Sequence, residues 1–244
     1  DLGRLAQTLG VTLAPETVAD RTLGLPVNAD IGGGRTAVVG QPLFPAVPPI
    51  LMSKTDVITA DLSRPVNFGA PGHLIARLAP GATFEPLVET TKDAALVPAD
   101  VAMRDPSPRA VLESYKPAGV AQVLAGRLTG PIRSSFERPP APPAEDDPAL
   151  SGLHQQELAR IEPYASRSED SAEIIFIADA DALDDGFYVN PNTGQAIADN
   201  AAFVLNALDN LSGEAALTAL RSRAHRLPSM RCRARCARWW SPSI

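Results

Sequence analysis

The run Glu173-Ile174-Ile175-Phe176-Ile177-Ala178, with the acidic turn and apolar-striped segment behind it, constrains this chain's fold more than any other stretch. A continuous apolar run of strand length predicts a strand covered on both faces, because a strand with one wet face alternates polar and apolar residues. Asp179, Asp181, Asp184 and Asp185 follow as a polar turn. From Gln195 to Leu211 the spacing predicts a helix burying Ile197, Ala201, Val204, Leu205, Leu208 and Leu211, with Gly213 as its terminator. Strand, loop and helix in that order are the building unit of an α/β fold of the doubly wound kind.

The rest of the chain reads as shorter pieces. The 24 prolines are about twice the ordinary share and imply much irregular connection. Leu2, Leu5 and Leu9 mark one face of a short helix ended by Gly10, and Val11 to Leu13 an extended piece broken by Pro15. Gly32-Gly33-Gly34 before Thr36-Ala37-Val38-Val39 predicts a hairpin or loop entering a strand. A phosphate loop is the weaker reading, since the Lys-Ser/Thr of that motif is missing and no helix follows. Residues 42–49 hold four prolines and are expected to be irregular. Asp56 to Leu62, Val66 to Phe68, His73 to Leu78 and Gln122 to Leu128 are expected to be extended, and 139–148 a proline-rich solvated loop.

Charge and cysteine use narrow the function. From Arg221 onward the chain has seven arginines and no acid, leaving 15 basic residues against 28 acids over 1–220, a balance of −13. An acidic body argues against nucleic acid, whose phosphates need a basic face. Both cysteines, Cys232 and Cys236, lie in the arginine-rich tail, so disulfide usage selects no compartment for the body. No run of about 20 apolar residues is present, so no membrane span is expected within the chain.

Two constellations are candidates for binding. Asp179 and Asp181 fall at the carboxyl end of the apolar strand, where open α/β sheets bind ligands. An Asp-x-Asp there also resembles the cation-holding pair of nucleotide-sugar glycosyltransferases. Residues at i and i+2 point to opposite faces of a strand, so they share an ion only if the chain turns between them. The alternative is an acidic loop that caps backbone amides. On the 195–211 helix, Asp199, Phe203, Asn206 and Asn210 fall within about 60° of one another. Asparagine and aspartate are weak helix formers, so amides repeated on one face suggest specific hydrogen bonds. With Phe203 as an anchor the stripe is expected to be a partner surface; the competing reading tucks Phe203 under a loop and spends the asparagines on local backbone. His73, His154 and His225 lie near no nucleophile motif, so triad enzymes lack their parts; no cofactor and no metal centre are expected.

Several of these stretches together resemble the gliding-motility-type auxiliary proteins of bacterial ABC transporters. They are 174–183; Asp199-Asn200-Ala201-Ala202-Phe203-Val204-Leu205-Asn206-Ala207-Leu208-Asp209-Asn210-Leu211-Ser212-Gly213; 217–223; the opening Asp1-Leu2-Gly3-Arg4-Leu5 through Gly10-Val11 to Val18-Ala19-Asp20; Thr55 to Leu62; Gln122 to Gly130; and Ser134-Ser135-Phe136. The resemblance spans residues 1–223. It implies a Rossmann-like domain akin to class I glutamine amidotransferases without their catalytic residues, and strands upstream of Asp1. It implies further a non-catalytic role outside the cytoplasmic membrane, a membrane tether beyond this chain, and ABC permease and ATPase subunits as partners. The rival function is a metal-dependent glycosyltransferase-like enzyme using Asp179 and Asp181. Residues 224–244 depart from the family and read as a frame-shifted segment, with a basic lipid-binding tail or a nucleic-acid arm as alternatives.

Overall fold

The computed structural model describes residues 2–136, 152, 165–168 and 170–213. Helix α1 (Leu2–Leu9) buries Leu9 and stops at Gly10, whose φ of +71° suits glycine. Strand β1 (Val11–Leu13) follows, then β2 (Glu16–Ala19) and the hairpin of β3 (Gly24–Asp30) and β4 (Thr36–Val47). After β5 (Val66–Asn67) come β6 (Leu74–Ala76), β7 (Thr83–Glu89) and β8 (Ala95–Pro98). Two short helices, α2 (Ala99–Arg104) and α3 (Pro108–Glu113), lead into β9 (Val123–Gly130). Strand β10 (Ala172–Ile177), a one-turn helix α4 (Asp185–Tyr188) and α5 (Asn200–Leu211) complete the described chain.

Among the described residues the strands form four small sheets: β1 with β6, β2 with β8, β3-β4-β5, and β10-β9-β7. Every ladder is antiparallel. The fold is therefore mixed α/β with few helices. The strand–turn–helix unit at 172–211 is present, but its strand pairs antiparallel with β9, so among the described residues no parallel, doubly wound sheet forms. Strand β10 is also only half-buried, not covered on both faces, because it sits at the edge of its sheet. Central β9 buries residues on both faces, and its Gly126 lies under the Phe84 ring, which a Cβ would strike.

Two other expectations need correction. Residues 42–49 are not irregular throughout, since β4 runs to Val47 through Pro42 and Pro45. Proline loses only the donor, and the carbonyls of Pro42 and Pro45 accept from the N–H groups of Asp20 and Phe68. Asp56 to Leu62 is not extended. The Asp56 carboxylate accepts from Ile58 N–H at 2.9 Å and its carbonyl from Thr59 and Ala60, which winds the segment into tight turns. The main core joins Val18, Val47, Ile58, Phe68, Leu87, Val88, Leu124 and Ala125 to Phe203 and Ala207 of α5. The loop at 139–148 and the tail at 224–244 lie outside the described residues.

Candidate functional site

The strand-end aspartates bond mainly to the backbone around them. Asp179 Oδ2 accepts from Gly69 N–H at 2.6 Å, and Oδ1 from Asp181 N–H at 2.9 Å. Burial pushes its pKa up, while these amides pull it down. Exposed Asp181 opens a 3-10 turn over Asp181–Leu183, Asp184 caps Gly186 N–H at 2.7 Å, and Asp185 accepts from the Tyr188 hydroxyl at 2.7 Å. No group of three or more His, Cys, Asp or Glu side chains is placed to hold a metal among the described residues. The carboxylate of Asp179 works as a strap: with Gly72 N–H donating to Ala178 O, it ties the 69–72 turn to the end of β10. That turn is tight. A Cβ on Gly69 would lie 2.6 Å from Phe187 Cζ, and Ala70 takes a left-handed φ of +52°.

Helix α5 is oriented opposite to the sequence expectation. Phe203 is 2% exposed and packs in the main core, whereas Ile197, Leu205, Leu208 and Leu211 are about half exposed, at 51, 47, 58 and 45%. The amides do make specific hydrogen bonds, but with this chain. Asn206 Nδ2 donates to Ile58 O at 3.0 Å, and Asn210 Oδ1 accepts from Arg127 Nη1 at 2.6 Å. Asp199 Oδ2 accepts the N–H groups of Ser63 and Arg64 at 2.9 and 2.8 Å. Asn200, which sequence reasoning passed over, is buried and bonds the backbone of Asn67 in both directions and Ala182 O. The helix starts at Asn200 and not at Gln195, because Asp199 is fixed to 63–65 on both its N–H and its carboxylate. The stripe Asp199, Phe203, Asn206, Asn210 is the seam holding α5 to the domain, so Phe203 offers no exposed anchor.

Arg127 anchors the same seam. Its Nε and Nη2 grip Asp56 at 2.7 and 2.9 Å, and Nη1 reaches Glu173 Oε2 at 2.7 Å. The Asp56 hydrogen bond is the main reason the guanidinium pKa is raised. Among the described residues two buried polar atoms lack hydrogen-bond partners, Asn67 Oδ1 and His73 Nε2, and burial lowers the His73 pKa.

A sizeable cleft lies elsewhere. A cavity of about 1020 Å³ opens between the β3–β4 hairpin and α3, walled by Val27, Ala29, Ile31, Val39 and Leu112, with Arg21 and Arg109 among its polar groups. Each arginine already holds a carboxylate: Arg21 Nε meets Asp93 at 2.6 Å, and Arg109 Nε meets Glu113 at 2.9 Å. Sequence reasoning read the glycines of this hairpin and missed the cleft, because α3 reaches it from some 80 residues away in the chain. Cavities of about 300–1,000 Å³ with apolar walls and few polar groups are typical of binding sites.

A family model described as an ABC-type uncharacterized transport system matches residues 1–207, and the chain belongs to that family. No curated protein matches the chain, and no solved structure does.

Proposed function

We propose that this member of the ABC-transporter auxiliary family is a non-catalytic binding component of a bacterial transport system of the gliding-motility type. It acts outside the cytoplasmic membrane and assembles with the permease and ATPase subunits, tethered by segments beyond the residues described. The family match over residues 1–207 carries this reading. The geometry agrees with binding more than with catalysis. Asp179, the half-buried member of the Asp-x-Asp, spends both oxygens on backbone amides, and the described residues hold an apolar cleft of ligand size. A Rossmann-like relation to class I glutamine amidotransferases is part of the same reading and rests on the family resemblance alone, since the described strands pair antiparallel.

The test is co-expression of the protein with the candidate ABC permease and ATPase subunits of its source genome, followed by affinity capture from detergent-solubilised membranes. Co-purification of the permease is expected. Absence of both subunits from the captured material, with all three expressed, overturns the reading. Manganese-dependent turnover of a nucleotide sugar, lost in Asp181→Ala, would establish the enzyme in its place.

A further inference from the structure

Among the described residues the outer edge of β3, beside the cleft, pairs with no other strand, and its hydrogen-bonding phase follows from one contact. Ile31 N–H donates to Arg35 O at 2.9 Å, so this is a hydrogen-bonded pair of the hairpin. In an antiparallel ladder such pairs alternate with pairs whose N–H and C=O groups point away from the partner. The register runs Asp30↔Thr36, Ala29↔Ala37, Asn28↔Val38, Val27↔Val39, Pro26↔Gly40. Ala29 and Val27 therefore bond inward to β4, while Asp30, Asn28 and Pro26 direct their backbone groups outward. Pro26 supports this phase, since a residue without an N–H fits only an outward position. No other described backbone or side-chain group meets the backbone of Asn28 or Asp30. The outward groups of these two residues stand about 6.7 Å apart, the two-residue repeat of an extended chain.

The cleft continues from that edge. All five residues from Val27 to Ile31 line it, residues of both faces, so the cleft follows the backbone of the strand. Val27, Ala29 and Ile31 belong to one face and line the cleft together with Leu112 of α3. An apolar ligand without amides would fill the walls but make no use of the outward N–H and C=O groups, and would displace the water that they bond. A polypeptide in extended form satisfies both. Its backbone pairs with Asn28 and Asp30, and its alternate side chains enter the apolar cleft.

We propose that this cleft binds an extended peptide segment of a partner protein, added as a strand antiparallel or parallel to β3, with apolar side chains at alternate positions. The proposal deepens the binding role argued above, but it is tested on the isolated chain, so its failure and the failure of transporter assembly are separable.

The test uses the full 244-residue chain, a displayed library of random heptapeptides, and fluorescence-polarisation titration of the selected peptides. Selected peptides are expected to alternate apolar residues. Asn28→Ala removes a side chain but no backbone group and should bind within about threefold of the parent. Asn28→Pro removes the outward N–H without breaking the bonds to β4, and should weaken binding at least about tenfold while the melting curve shows a folded protein. Should that variant fail to fold, Leu112→Glu on α3 tests the cleft wall, with a loss of at least about tenfold expected. The proposal is overturned if no heptapeptide is selected, if both variants bind as the parent does, or if decanoate, apolar but without amides, binds as tightly as the peptides.

Discussion

Asp179 and His73 show how burial decides what a titratable side chain does. Asp179 at a strand end has the position of a ligand, yet its two oxygens are held by the N–H groups of Gly69 and Asp181. Removing this half-buried acceptor leaves two amides unmatched, so Asp179→Ala should lower stability by about 1–3 kcal/mol in denaturant unfolding. Exposed Asp181→Ala should stay within about 0.5 kcal/mol of the parent, and saturating manganese should leave the melting temperature of all three proteins unchanged. A rise of several degrees abolished by Asp181→Ala would restore the metal-site reading. His73 gives a pH dependence. Burial holds its folded pKa below 6.5, with Glu16 opposing weakly, and Nε2 has no partner among the described residues. The unfolded chain then binds the proton more readily than the native one. The stability this neutral form contributes is present above pH 6.5 and is lost as pH falls from 6.5 through the lower folded pKa. Unfolding free energy measured from pH 7.5 to 5 should decline more steeply in the parent than in His73→Leu; parallel curves would show that His73 does not titrate with folding. The sequence could show that a histidine stood in an extended segment, but not that its ring nitrogen would be enclosed without a partner.

At the scale of the elements, α5 shows where apolar periodicity misleads. Six apolar residues mark one side of the 195–211 segment, yet the other side is docked. The outcome is set by what the docking surface offers. Ile58 O, the Arg127 guanidinium and the backbone of Asn67 all need hydrogen-bond partners, and the asparagines of the minority face supply them around a single large apolar side chain, Phe203. An apolar stripe identifies a helix well but does not always name the buried side, since exposed apolar surface is ordinary on folded proteins. Truncation separates the two faces. Phe203→Ala should cost about 3–5 kcal/mol, while Leu208→Ala, at a half-exposed position, should cost under about 1 kcal/mol. Equal losses would return the apolar stripe to the core. Arg127 offers a second test, because Asp56 beside it is nearly enclosed. Arg127→Met alone leaves that carboxylate without its counter-ion and should cost about 3–5 kcal/mol, whereas adding Asp56→Asn should recover part of the loss. Simple additivity would mean the pair is not coupled. Helix α1, β1, the hairpin, β9 and β10 were legible because each rests on local signals: a leucine spacing, a glycine turn, an apolar run. The course of 42–49 and 56–62 was not, since it depends on carbonyl partners at Asp20 and Phe68 and on the Arg127 clamp at Asp56.

Across the whole molecule, the α/β class was readable from the sequence, but the pairing of its strands was not. A strand followed by a helix suits parallel crossovers and antiparallel edges alike, and which neighbour β10 takes is decided by β9, some 50 residues upstream. What results is several small sheets around one main core, with Val18, Val47, Leu87, Val88, Leu124 and Phe203 in the same cluster, while Val11 and Leu74 of the β1–β6 sheet pack in a second cluster with Leu128. The hairpin of β3 and β4 extends from that core. Its residues Asn28 to Val38 include none that is buried, and the glycines at 32–34 have no atom within 4 Å of where a Cβ would be. Local opening costs least where few apolar contacts must break, so the two regions should differ in amide hydrogen exchange. The amides of Leu87, Val88, Leu124 and Ala125 should exchange only through global unfolding, tracking the unfolding free energy as denaturant is added. The inward-bonded amides of Ala29 and Ala37 should exchange through a smaller opening, at least about 2 kcal/mol cheaper and nearly independent of denaturant. The outward amides of Asn28 and Asp30 should exchange fastest of the strand, as groups with no partner do, and a bound peptide should slow them selectively. Hairpin amides as slow as those of β9 would show that the hairpin belongs to the cooperative core, and fast exchange at Ala29 with slow exchange at Asn28 would invert the phase derived for the open edge.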